Sequence, residues 1–141
     1  MSNDRHFKDL VYEQFARIGK ALSSPKRIEL LDLLSQGSRN VENLSSMTGL
    51  SVANTSQHLQ LLKAARLVES EKAGVQVVYR LASPFVGSFV RNLRLLAEER
   101  LAEIDQTVRT FFKDTETFDP VNRDELLRRV RSGEAMVLDV R

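Results

Sequence analysis

Between Ser51 and Leu81 the spacing of the apolar residues changes, and this change restricts the fold more than any other feature of the chain. Up to Ala65 the period is helical, with Leu59, Leu62 and Ala65 on one stripe and Val52 or Thr55 completing it. From Leu67 the stretch "LVESEKAGVQVVYRLA" alternates instead, around Ala73-Gly74, with Val68, Val77, Tyr79 and Leu81 able to share faces. A helix therefore runs directly into a two-stranded hairpin of about residues 67–72 and 76–82. A hairpin of that size is marginal alone, so it must lean on helices.

The preceding residues supply them. Phe7, Leu10, Val11, Phe15, Ile18 and Leu22 form a helical stripe, which predicts a first helix near residues 5–21. Ser24-Pro25 opens a second, with Ser24 as N-cap and proline at the first helical position, where a missing N–H costs nothing. Ile28, Leu30, Leu31, Leu33 and Leu34 make this helix central, and Gly37 is expected to end it. A short helix from about Val41 to Thr48 turns Val41, Leu44 and Met47 inward. In "TGLS", Gly49 permits a turn and Ser51 can cap the next helix. Helix, tight glycine turn, helix is the helix-turn-helix arrangement.

Beyond the hairpin, Ser83-Pro84 opens another helix by the same cap-then-proline rule. Phe85, Phe89, Leu93, Leu96, Ala97, Leu101, Ile104, Val108 and Phe111 recur at steps of three and four. One continuous helix there would be roughly 40 Å long, more than a small domain covers. A second copy of the chain is the simplest partner for such a stripe. "KDTETFDPVN" is expected to be a linker. Asn122 can cap the short helix "RDELLRRVRSG", stopped by Gly133, and "EAMVLDVR" has the apolar run of a buried parallel strand. The expected division is residues 1–113 as one helix-rich domain and 114–141 as a linker with a second domain begun and cut off. The fold class is mainly α with a small β-hairpin.

Composition narrows the function. With 42% hydrophobic and 28% charged residues the chain is of globular type. No apolar run is long enough for a bilayer and "MSNDRHFKDL" lacks an apolar signal core, so a cytoplasmic location and no membrane partner are expected. The absence of cysteine excludes disulfides, thiolate metal sites and thiol catalysis for this chain. Residues 1–83 hold 11 Lys/Arg against 8 Asp/Glu, a mild basic bias, while residues 84–141 hold 10 against 11.

The helix opened by Ser51 is polar without being charged, through Asn54, Ser56, Gln57, His58 and Gln60. In the major groove, Asn and Gln pair bidentately with adenine, and Ser and Thr suit several bases or phosphates. A nearly neutral reading surface with cations at its margins fits sequence-selective binding of double-stranded DNA. Arg39, Lys63, Arg66 and Lys72 are the marginal cations, for salt-dependent phosphate contacts. Ser51 and Thr55 complete the DNA-facing candidates.

"LSVANTSQHLQLLKAARLV" followed by "GVQVVYRLA", with "ALSSPKRIELLDLL" before them, resembles the ArsR-type (ArsR/SmtB) winged-helix repressors over about residues 7–112. The resemblance implies that Asn54, Ser56, Gln57, His58 and Gln60 face DNA, with Ser56-Gln57-His58 nearest the family motif. It also implies a homodimer through the first and last long helices, binding an inverted-repeat operator. The interface expected on this basis takes Phe7, Leu10, Val11 and Phe15 from the first helix. From the last it takes Phe89, Leu93, Leu96, Leu101, Ile104 and Val108. The family often has glycine where Arg66 stands, so the turn there is expected to be strained or reshaped. Metal-sensing members carry a cysteine pair in the third helix, or carboxylate and His ligands on the last. "RNVENLSSM" has no Cys, and the last helix has Glu98, Glu99, Glu103 and Asp105 but no His, so no metal and no cofactor is expected. "AMVLDVR" resembles the opening strand of a rhodanese domain. Its persulfide-forming cysteine is missing here, so no sulfurtransferase activity is expected, and sulfur or redox sensing would belong to a longer protein.

Plainer roles compete for several residues. His58 can be a packed helix residue, and the acidic cluster the wet face of a helix. Tyr79 fits wing packing better than DNA contact, and Phe85 and Phe89 fit core or dimer contacts better than a ligand pocket. The whole domain has two rivals: a winged helix that binds a protein partner, and the regulatory part of a sulfurtransferase.

Overall fold

The computed structural model describes residues 2–113. The expected linker, short helix and rhodanese-like strand of 114–141 lie outside the described residues. In chain order the elements are α1 (Ser2–Ala21), α2 (Pro25–Leu34), β1 (Arg39–Asn40), α3 (Val41–Thr48), α4 (Val52–Ala64), β2 (Val68–Ala73), β3 (Gln76–Leu81), α5 (Pro84–Arg100) and α6 (Ala102–Lys113). The chain divides into two compact units between Gly87 and Ser88.

The first unit is organised around α2. Leu30, Leu31, Leu33 and Leu34 are buried there with Leu44 of α3, Leu59 and Leu62 of α4, and Val68 and Tyr79 of the sheet. Most of these side chains are fully buried, each stabilising the domain by about 1.5–3 kcal/mol relative to exposure. Ser24 caps α2 as expected, accepting from the Arg27 backbone N–H at 3.3 Å, with Pro25 at the start of the helix. Gly37 does not end it: α2 stops at Leu34 with Ser35 as C-cap, and Gly37 adopts a positive φ two residues later. After Leu34 the ladder tightens to three-residue turns, Gln36 N–H reaching Leu33 C=O and Gly37 N–H reaching Leu34 C=O, both at 3.1 Å, while the Ser35 hydroxyl donates to Asp32 C=O.

The predicted hairpin is part of a three-stranded antiparallel sheet of order β1-β3-β2. Arg39 pairs with Tyr79 and Asn40 with Val78, so β3 is the central strand. Two residues are too short to show alternation, which hid β1. Asn40 also caps α3, its side chain accepting from Asn43 N–H at 2.7 Å. In α4 the buried stripe is Thr55, Leu59 and Leu62. Val52 is exposed, and Ala65 is the half-buried C-cap rather than a core position.

The last helix is not continuous. It breaks at Leu101 into α5 and α6, the Ile104 N–H closing a tight turn on Leu101 C=O. No proline or glycine marks the break. Val90 of α5 and Phe112 of α6 are buried, whereas Phe111, predicted to lie on the apolar stripe, is half exposed. Phe85, Phe89, Leu96 and Leu101 are also exposed, and Leu93, Ile104 and Val108 are partly covered. On α1, Phe7, Leu10, Tyr12 and Phe15 are exposed, and Val11 is half-buried.

Candidate nucleic-acid interface

The entrance and exit of α4 define the site. At the entrance, α3 ends on Gly49 in the left-handed region, φ 77°, where a residue with a Cβ is disfavoured. Ser51 then caps α4: its hydroxyl accepts from Asn54 N–H at 3.1 Å. At the exit, Leu67 N–H bonds to Leu62 C=O at 3.0 Å and Arg66 N–H to Lys63 C=O at 2.9 Å. Leu62 and Leu67 are both buried. This is the Schellman arrangement, whose left-handed position is normally glycine. Here Arg66 holds it at φ 64°, alone among described non-glycine residues. The expected strain in this turn is therefore located in one backbone position.

Helical geometry places Gln57 and Gln60 opposite the buried Thr55–Leu59–Leu62 stripe, with Asn54 also exposed. Ser56 and His58 lie half-buried at the margins. No carboxylate occurs on α4, and its one full charge is Lys63 in the last turn. Two side-chain bonds tie this helix to the sheet behind it. Gln60 Nε2 donates to the Tyr79 hydroxyl at 3.0 Å, and Lys63 Nζ to the Ser70 hydroxyl at 2.9 Å. Tyr79 is 2% exposed, so its ring belongs to the core and its hydroxyl positions Gln60. Lys72 is exposed on β2, beside the Glu69–Arg80–Glu71 ion-pair group at 2.8 and 3.5 Å.

One expected DNA contact needs correction, and a second residue has partners inside the domain. Thr55 is fully buried and donates its hydroxyl to Ser51 C=O at 2.8 Å. It faces the core because it sits between Ser51 and Leu59 on the inner stripe, and it cannot reach a duplex. Arg39 is half-buried and holds the start of α3 instead: its guanidinium donates to Asn43 at 2.9 Å, Gln36 at 3.1 Å and Leu33 C=O at 3.4 Å, and meets Met47 Sδ at 3.3 Å. A cation with four partners inside the domain is a structural bracket first.

Sequence reasoning missed Arg27. Its Nη1 lies 3.4 Å from His58 Nδ1. Arginine can only donate, so the contact is a hydrogen bond in the tautomer that leaves Nδ1 unprotonated. Thirty-one residues separate the pair, and no local pattern announces it. Arg27 also donates to Ala21 C=O at 2.6 Å and Lys20 C=O at 3.2 Å, tying α1 to α2. Among the described residues no group of three or more His, Cys, Asp or Glu side chains is placed to hold a metal ion, and no helix is long and apolar enough to cross a membrane.

Comparison with known proteins agrees with this geometry. Residues 24–70, from the cap of α2 to the third residue of β2, match the family described as bacterial regulatory protein, arsR family. The HTH-type transcriptional regulator Rv0324 of Mycobacterium tuberculosis is 36% identical over all 141 residues, and the chain spans 62% of its length. The HTH-type transcriptional regulator YgaV of Escherichia coli is 32% identical over 83 residues, 58% of this chain and 84% of YgaV. The solved structure of Mb0332 from Mycobacterium bovis, described as a homodimeric winged helix-turn-helix DNA-binding domain, superposes with a TM-score of 0.64 at 38% identity. That match covers 68% of this chain and 89% of the Mb0332 fragment. With its capped and glycine-turned pair α3–α4, its β2–β3 wing and these relatives, the chain belongs to the arsR family of bacterial regulatory proteins and has the winged helix-turn-helix fold.

Proposed function

We propose that the chain is a transcriptional repressor that reads an inverted-repeat operator as a homodimer, with α4 in the major groove. The carrying observation is the outward row Asn54, Gln57 and Gln60 on a helix without carboxylates. These amides donate and accept, as base-edge reading requires. Ser56 and His58 flank the row, Ser51 sets its first turn, and Lys63 and Lys72 supply phosphate contacts at its margins. The polar row also favours DNA over a protein partner, which would call for a continuous apolar patch there.

The dimer reading rests on the exposed aromatic and aliphatic side chains of α1 and on those of α5 and α6, together with the homodimeric description of Mb0332. Two-fold symmetry would set the recognition helices about 34 Å apart, one duplex turn. The chain acts in this reading as a regulator and not as a catalyst, in line with its relatives. The assignment of 114–141 to a linker and the start of a rhodanese-like domain remains part of the proposal, supported by the "AMVLDVR" resemblance.

Selection from a random duplex library followed by gel shift tests the reading. The expected product is a near-palindrome with half-sites one turn apart, bound at least about a thousandfold more tightly than random duplex. Equal retention of all duplexes would refute it.

A further inference from the structure

A cavity of about 300 Å³ opens in the first unit between α1, α2 and α4. Ala21, Leu61, Ala64 and Ala65 give it an apolar lining, and Arg17, Lys20 and Arg27 supply three cations. No carboxylate lines it. Among the described residues none of these three cations forms an ion pair. The two guanidiniums are held by neutral groups instead. Arg17 donates to Gln14 Oε1 at 2.8 Å and to Ala64 C=O at 3.2 Å, and Arg27 to backbone carbonyls of α1 and to His58.

Converging positive charge without a counter-charge, over an apolar surface, is complementary to one ligand class. We propose that this cavity binds an amphipathic organic monoanion, a carboxylate on a short apolar body, and that binding lowers affinity for DNA. The effector role rests on the DNA-reading proposal; the binding site does not. The volume is at the lower end of small-molecule pockets. A carboxylate accepts stronger, charge-assisted bonds from Arg17 and Arg27 than their present neutral partners do. Both arginines hold α4: Arg17 at the carbonyl of its last residue and Arg27 at His58. An anion that draws them away loosens the recognition helix from the α1–α2 junction.

The test uses the full chain, with sodium octanoate as probe, octan-1-ol and octylammonium as neutral and cationic counterparts, and sodium chloride at matched ionic strength. Calorimetric titration without DNA should show saturable binding of octanoate, and weak or no binding of the counterparts. Leu61→Glu, which brings a negative charge to a half-exposed edge of the lining, and Arg17→Gln should each abolish or weaken that binding while the variants remain folded by circular dichroism. In gel shifts octanoate should weaken operator binding about tenfold, and leave the Leu61→Glu protein unaffected. Equal binding of octan-1-ol, no binding of octanoate, or octanoate binding undiminished in both variants would overturn the site. Binding without any change in operator affinity would overturn the effector role. Failure of the operator selection would leave the calorimetric result standing, so the two readings fail separately.

Discussion

Helices α1 and α4 both leave a full face outside the core of the first unit, and the two faces are opposites. On α1 the exposed residues include Phe7, Leu10, Tyr12 and Phe15, with Tyr12 and Phe15 stacked edge to face at 5.5 Å. On α4 they include Asn54, Gln57 and Gln60. A face of the first kind gains free energy by removing area from water and is indifferent to the partner's hydrogen-bonding pattern. A face of the second gains little from burial and much from a matched pattern of donors and acceptors. In the proposed function, self-association and selective reading therefore fall on separate helices of one small domain.

The sharpest way to break this contrast is to charge the apolar face. Phe15→Glu should leave the fold intact, because Phe15 is 62% exposed within the chain. It should weaken self-association by about 2–4 kcal/mol in sedimentation equilibrium, with operator affinity falling in parallel. An unchanged association constant would take α1 out of the interface.

The polar face is tested by comparing two substitutions on α4. Gln57→Ala should cost about 1–3 kcal/mol on the selected operator and little on random duplex, whereas equal losses on both would end its role as a reader. Lys63→Ala should weaken both duplexes alike and flatten the salt dependence by about one unit, because Lys63 offers charge and no base pattern. A slope that stays the same would remove Lys63 from the phosphate contacts. The smallest effect is expected at the helix exit. Arg66→Gly should raise stability by about 1 kcal/mol in urea denaturation, since relief of the left-handed strain exceeds the added freedom of the unfolded chain. A loss of stability would mean that the Arg66 side chain holds more than its backbone costs.

Much of the frame was legible where a local rule has a local cause. Ser24-Pro25, Gly49 and Ser51 each act within one helical turn, and each stands where its type predicts. Helix α3 has the predicted bounds for the same reason. The misses involve partners distant in sequence. β1 exists only because β3 offers it a ladder. Thr55 is polar by type yet buried by register, its hydroxyl satisfied one turn back. Arg39 belongs to a network that gathers only when α2, β1 and α3 pack. The break at Leu101 has no breaker residue in its neighbourhood.

Periodicity, caps and the switch from helical to alternating spacing were enough to determine the order of the helices and the hairpin in the first unit and the uncharged character of its outward helix, because those properties depend on residues a few positions apart. Which polar side chains remain available was decided only in three dimensions. Packing buried Thr55, engaged Arg39, placed Arg27 against His58 and drew three cations around an apolar hollow, since burial and charge proximity depend on distances between helices that no local pattern encodes.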